Sequence, residues 1–239
     1  MTSILKAVGI GKRFGALTVL EGIDFAVTSD AAVGIVGPNG AGKSTLMAVL
    51  SGALAPTAGR IEMDGREITG LGAAERAGLG VMRTHQIPKP FLGLTVLENV
   101  LVGATHAGRA KGEAGYALAL EAVETAGMRS LANRPAESLG LLDRKRLELA
   151  RALATRPRIL LLDEIGGGLT DAEAEDLVAM IRGLRAKGIG IVWIEHIVHI
   201  LMQVVERLIC MDAGRIIADG DPAAVMAHPD VVHAYMGGV

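Results

Sequence analysis

Gly37-Pro38-Asn39-Gly40-Ala41-Gly42-Lys43-Ser44 fits the pattern GxxxxGK[ST]. The match follows a short apolar run at 31–36 and opens a segment of helical character from 43 to about 53. Strand, glycine-rich loop and helix, in that order, are the context in which this pattern builds a phosphate cradle. Glycines let backbone N–H groups converge on phosphate oxygens with no Cβ in the way. The helix N-terminus adds a favourable partial charge. Lys43 is expected to reach the β- and γ-phosphates, and the Ser44 hydroxyl to bind Mg²⁺, which prefers hard oxygen ligands. With Thr45, residues 37–44 form the expected phosphate-binding set. An accidental glycine-rich turn would need neither the strand before it nor the helix after it.

Ile159-Leu160-Leu161-Leu162-Asp163-Glu164 supplies the second half of the site. A continuous apolar strand suits a parallel sheet covered on both faces. It delivers two carboxylates at the C-terminal edge, where α/β sheets bind ligands. Asp163 is expected to hold Mg²⁺ through a water or at one remove. Glu164 is expected to orient and deprotonate the attacking water, help that amounts to about 10²–10⁴-fold. The phosphate loop alone leaves kinase, GTPase and transporter ATPase open. No clear guanine-reading NKxD motif is present, and a glutamate after the aspartate favours hydrolysis over transfer to a substrate hydroxyl.

The chain begins β-rich, with strands expected at 4–10 and 19–27 on either side of a turn around Gly15. Ala55-Pro56-Thr57-Ala58-Gly59 stops the helix after the loop with turn chemistry. Further strands are expected at 61–63 and 79–82. From Ile87 to Thr155 the character changes, and 114–126 and 144–154 recur at helix spacing. The α/β pattern then resumes. Thr170-Asp171-Ala172-Glu173 is a capping box opening a helix to about Lys187. A buried strand at 189–194 and a hairpin of 208–211 and 215–218 around Gly214 follow. The fold class is therefore α/β: a P-loop NTPase core with a mostly parallel sheet, an antiparallel β portion near the N-terminus, and an inserted helical subdomain. One domain is expected over 1–239, with 1–86 and 156–220 as the α/β core, 87–155 as the helical subdomain and 221–239 as a short helical tail.

Composition narrows the function. The 239 residues suffice for a sizeable core. A net charge of −2 and 3% aromatic residues argue against a nucleic-acid binder, which needs a basic face or a stacking platform. Cys210 is the one cysteine. It excludes an internal disulfide and, inside Leu208-Ile209-Cys210-Met211, reads as a small buried hydrophobe. One cysteine and no signal peptide suit the cytosol. No apolar run reaches the ~18 residues of a spanning helix. The nearest candidate, 189–210, contains Glu195, His196, His199, Gln203, Glu206 and Arg207, which are costly in lipid.

Taken together, the chain resembles ABC transporter nucleotide-binding subunits over nearly its full length. More specifically it is similar to the ATPases of hydrophobic, or branched-chain, amino-acid uptake systems. Arg83-Thr84-His85-Gln86, then Ile87-Pro88-Lys89-Pro90-Phe91 and Leu94-Thr95-Val96-Leu97-Glu98-Asn99-Val100, resemble that family's Q-loop segment. Val232-His233-Ala234-Tyr235-Met236-Gly237 resembles its closing motif. The resemblance implies ATP and Mg²⁺ as ligands. It implies that Gln86 contacts Mg²⁺ and the water, that His196 senses the γ-phosphate, and that Phe14 stacks on adenine. A loop glutamine that caps a backbone group and a core phenylalanine are the competing readings of Gln86 and Phe14. His85, His106, His199, His228 and His233 have no comparable placement. The resemblance further implies a second nucleotide-binding subunit, transmembrane permease subunits, indirect service to a substrate-binding protein, and a cytoplasmic location peripheral to the inner face of the cell membrane. The implied cargo is a branched-chain or related small amino acid, or an amide. A lipid or lipopolysaccharide exporter ATPase and a non-transport ABC ATPase share the fold. The latter expects paired ATPase domains, a long coiled-coil insertion or a basic face. A small-molecule P-loop kinase expects a lid and substrate-binding arginines.

The chain departs from that family's pattern in two places. Thr170 stands where the D-loop aspartate is usual. Before the helix at 146–153, where an LSGGQ-like signature is expected, the sequence reads Glu137-Ser138-Leu139-Gly140-Leu141-Leu142-Asp143-Arg144. Ungapped counting from Arg151 puts Gly140 at the serine, Leu141 and Leu142 at both glycines, and Asp143 at the glutamine. A one-residue slip matches Ser138 and Gly140 loosely. In the family this segment closes over the partner's γ-phosphate, so a chain with leucines there is expected to complete its partner's site poorly. A heterodimer with a well-equipped partner and a homodimer with two weakened sites both remain open.

Overall fold

The computed structural model describes residues 4–236. Gly237, the last residue of the tail resemblance, lies outside them. Near the N-terminus, β1 (Leu5–Phe14) and β2 (Leu17–Val27) form a hairpin. With β4 (Ala58–Met63) and β5 (Arg66–Glu67) they make an antiparallel sheet ordered β2-β1-β4-β5. The second sheet contains β3 (Ala32–Val36), β6 (Val81–Arg83), β7 (Ile159–Asp163), β8 (Gly190–Ile194), β9 (Arg207–Asp212) and β10 (Arg215–Gly220). Its order is β10-β9-β3-β8-β7-β6, and only the β9–β10 hairpin is antiparallel.

Successive residues of a strand face opposite sides of a sheet. Ile159 and Leu161 of β7 pack, with Val192 and Ile194 of β8, into a core shared with the antiparallel sheet and α1 (Lys43–Leu50). Leu160, Leu162, Ile191 and Trp193 point the other way. There they meet α3 (Val96–His106), α4 (Gly112–Thr125), α5 (Leu141–Leu153) and α6 (Asp171–Ala186). Both faces are covered, so these strands are apolar throughout. Each fully buried Leu or Ile contributes about 1.5–3 kcal/mol. The shorter helices are α2 (Ala73–Gly78), α7 (Val198–Leu201), α8 (Pro222–Met226) and α9 (Pro229–Met236). No helix of the described residues is long and apolar enough to cross a membrane.

Several boundaries differ from the sequence-based expectation, for local reasons. α1 stops at Leu50, and Gly52 turns the chain with φ 80. Ala58 and Gly59, expected in a turn, already belong to β4. The strand expected at 79–82 is Val81–Arg83, because α2 ends at Gly78 with Leu79 as its C-cap and Gly80 follows at φ 96. α5 begins at Leu141 rather than Arg144, so the leucines of the altered signature are its first turn.

α2 was not foreseen, and it carries a structural anchor. Arg76 is fully buried. Its guanidinium donates to the carbonyls of Val49 at 2.7 Å, Leu50 at 2.9 Å, Leu71 at 3.0 Å and Thr69 at 3.0 Å. The first two lie in the last turn of α1, where carbonyls run out of intrahelical partners; Val49 also accepts the Gly52 N–H at 3.2 Å. Arg76 thus fixes the far end of the helix whose near end forms the phosphate loop.

Candidate nucleotide site

β3 ends at Val36 and the chain turns through Gly37 (φ 144), Gly40 (φ 83) and Gly42 (φ 98). A Cβ on Gly37 would overlap the Met211 carbonyl, and one on Gly42 would lie 2.8 Å from the Leu20 side chain and the Val19 carbonyl. Only glycine fits where the loop rests on its neighbours. α1 starts without a side-chain cap, which leaves the N–H groups of its first turn for a ligand. Lys43 is buried, and its ammonium donates to the carbonyls of Gly37 at 2.7 Å and Pro38 at 2.9 Å. Burial lowers its pKa, opposed first by the Glu164 carboxylate. A cavity of about 360 Å³ is lined by residues 39–45, Glu164, Leu17 and Val19.

β7 brings the two acids to the same edge. Glu164 has φ 51, so the chain leaves the strand in the left-handed region. Its own N–H is held by the Ile194 carbonyl at 2.9 Å. One carboxylate oxygen accepts the Gln86 amide, and the other pairs with His196 Nε2 at 2.9 Å. Three residues from separate loops therefore converge. An acid beside the phosphate cradle, flanked by an amide and an imidazole, is suited to orient a water and take its proton.

Asp163 is buried, and its Oδ2 accepts from Arg83 Nη2 at 2.6 Å while Oδ1 has no partner. A buried, unpaired carboxylate oxygen is costly unless something fills its coordination. That orphan is a hard oxygen at the C-terminal end of β7, and its chemistry fits a water of hydrated Mg²⁺. Ser44 is exposed to receive it.

Two further side chains brace the segment after Glu164. Lys145 of α5 is buried and donates to the Ile165 carbonyl at 2.8 Å and to that of Gly167. Burial lowers its pKa. The Glu195 carboxylate accepts the Gly166 N–H and, at 3.2 Å, the His196 N–H. Burial raises its pKa, against the two backbone bonds. A Cβ at Gly166 would come 2.7 Å from Glu195 Oε1, so a side chain there would push that carboxylate aside. Glu195 and Lys145 thus tie the backbone of His196 and the start of α5 to one glycine-rich loop.

The expected loop residues Asn39, Gly40, Ala41, Gly42, Lys43, Ser44 and Thr45 line the cavity, with Gly37 and Pro38 beneath Lys43. Phe14 does not line it. It lies at the end of β1, 47% exposed, with Lys12 Nζ 5.0 Å above its ring. Exposure removes the reading of Phe14 as a core residue. Leu17 and Val19, unnoticed in the sequence, line the cavity instead. Arg83, Lys145 and Glu195 were also missed. Cys210 is buried as expected, and burial pushes its thiol up to about 11.

Sheet order, phosphate loop and the acid edge of β7 define a P-loop nucleoside triphosphatase of the cassette type. Residues 20–166 match the ABC transporter family, and residues 215–239 match the family described as branched-chain amino acid ATP-binding cassette transporter. The chain belongs to the ABC transporter family, as an ATP-hydrolysing cassette. It is 36% identical to the high-affinity branched-chain amino acid transport ATP-binding protein BraF of Pseudomonas aeruginosa, over 98% of each chain. It is 34% identical to the probable branched-chain amino acid transport ATP-binding protein LivG of Methanocaldococcus jannaschii, over 98% of this chain and 97% of that one. Among solved structures, the ADP conformation of an ABC transporter cassette superposes with a TM-score of 0.91 at 33% identity, covering 99% of this chain and 100% of the other.

Proposed function

We propose that this chain powers uptake of branched-chain or related small amino acids, or amides, through separate membrane subunits. The observation that carries the reading is the convergence of Gln86 and His196 on Glu164 beside the phosphate loop. The names of the relatives and the tail match at 215–239 support the cargo class.

In this reading Lys43 leaves the loop carbonyls for the β- and γ-phosphates. Ser44, Asp163 and Gln86 would hold Mg²⁺, which when bound would supply positive charge to offset that on the phosphoryl group. Water attacks in line: its oxygen bonds to the γ-phosphorus, the bond to the β–γ bridging oxygen breaks, and Glu164 takes the proton. A water must first displace Gln86 or His196 from the Glu164 carboxylate. Phe14, beside Leu17, stacks on the adenine. Residues 87–155 act as a subdomain that moves against the core of 1–86 and 156–220, with 221–239 as the tail. Two such subunits sandwich two nucleotides, coupled to permease subunits at the inner face of the membrane and, through these, to a substrate-binding protein. Because α5 opens with Leu141 and Leu142, a different chain with an intact signature would complete this chain's site better than a second copy would, and the heterodimer is the arrangement put to the test.

Uptake of radiolabelled leucine by cells in which Glu164→Gln replaces the native chain tests this. Abolished leucine uptake with unchanged lipid export is the expected result; intact leucine uptake would refute the cargo class. Turnover of the isolated chain as high as that of the assembled complex would refute the heterodimer.

A further inference from the structure

Gly37 is the first residue past the β3–β9 ladder, whose pairing ends at Val36 with Cys210. It is buried. Its N–H donates to the hydroxyl of Tyr235 at 2.9 Å, across 198 positions of sequence. Tyr235 lies in α9, which packs beside β10 at the end of the chain. The other side of the same residue is engaged too, since the Gly37 carbonyl accepts the Lys43 ammonium.

We propose that Tyr235 is a positioning residue for the phosphate loop, holding the Gly37 amide in place when Lys43 turns from the loop to the nucleotide. Without nucleotide, the entry to the loop is held from both sides, by Tyr235 on the N–H and by Lys43 on the carbonyl. With nucleotide, the lysine bond is given up and the tyrosine bond remains. The loop cannot be braced from within at this point, because a side chain on Gly37 would meet the Met211 carbonyl. A hydroxyl reaching in from another element supplies the missing acceptor. The C-terminal helix is thereby part of the nucleotide site.

The test is Tyr235→Phe in the full chain, which removes one oxygen and keeps the ring. His233→Ala, at an exposed position on the same helix, is the control. Loss of one such hydrogen bond corresponds to about a three- to tenfold weakening. The expected result is that rise in KM for ATP and in Kd for a fluorescent ADP analogue, with kcat at saturation unchanged. Since Lys43 still holds the Gly37 carbonyl in the free chain, the nucleotide-free melting temperature falls only slightly, and that of the nucleotide-bound protein falls more. A melting temperature that falls while KM and Kd stay put would mean a purely structural contact and overturn the proposal. So would an equal loss in His233→Ala. Should the Phe variant fail to fold, amide exchange of Gly37 in the native protein, read by NMR, decides. Protection without nucleotide is expected; free exchange would overturn the assignment.

Discussion

At the edge of β3 and β7, the groups suited to phosphate chemistry are polar and individually held, whereas the start of α5 offers Gly140, Leu141, Leu142 and Asp143. Lys43, Asp163, Glu164 and His196 each have a partner that fixes them. Gly140 has no capping side chain, and Leu141 is 49% exposed. Leu141 is also accommodated within its own chain: a Cβ on Gly168 would sit 3.2 Å from its Cδ2. Gly168 leaves room for bulk that a glycine signature would not bring. The contrast teaches that one chain can carry a polar, firmly held edge and, at the start of α5, an apolar, partly exposed one that offers few donors.

The largest effect should come from the first region. Glu164→Gln should lower ATP turnover by about 10²–10⁴-fold while nucleotide binding persists, read by phosphate release and equilibrium binding. A loss of only a few-fold would erase the distinction between the regions. Next comes the remote anchor of the same region. Arg76→Leu strands several buried carbonyls, so stability should fall by about 2–4 kcal/mol in urea melts. An unchanged midpoint would mean that α1 holds itself.

The phosphate loop and β7 were legible in the sequence because their signals are local. A glycine pattern sits between strand and helix, and an unbroken apolar run ends in two acids. The alternation of Ile159 and Leu161 against Leu160 and Leu162 follows from burial on both faces. What escaped is paired over distance. Arg83 reads as a strand-end charge, yet it meets Asp163. Lys145 lies inside Arg144-Lys145-Arg146, which looks like a solvated helix face, yet it is buried against loop carbonyls. Tyr235 belonged to a tail motif with no visible partner. α2 is too short to show a period, and α3 blends into the helical stretch from 87 despite its Thr95–Glu98 capping box.

The second region gives the next, smaller effect. Gly140→Ser combined with Leu141→Gly and Leu142→Gly restores donors and close backbone approach. If the signature limits closure, turnover of this chain alone should rise by about tenfold, the equivalent of one good hydrogen bond to a charged group. The two glycines also weaken the first turn of α5 by roughly 0.5–1 kcal/mol each, so turnover is measured well below the melting temperature. No gain would place the limit elsewhere than the leucines.

The smallest effect separates construction from chemistry in that same region. Arg144 donates to the Leu139 carbonyl at 2.9 Å and to the Glu137 carbonyl at 3.0 Å, bracing the turn that leads into α5. The segment is thus held in shape even though it carries leucines. Arg144→Ala removes both bonds at a half-buried site where water replaces part of what is lost, so about 1 kcal/mol of stability should go, read in urea. Because Arg144 does not line the nucleotide cavity, the Kd for nucleotide should not change. A loss of nucleotide affinity in this variant would mean that the start of α5 already communicates with the phosphate loop inside one chain, by way of Lys145 and the Ile165 carbonyl, and the two regions would then have to be treated as one.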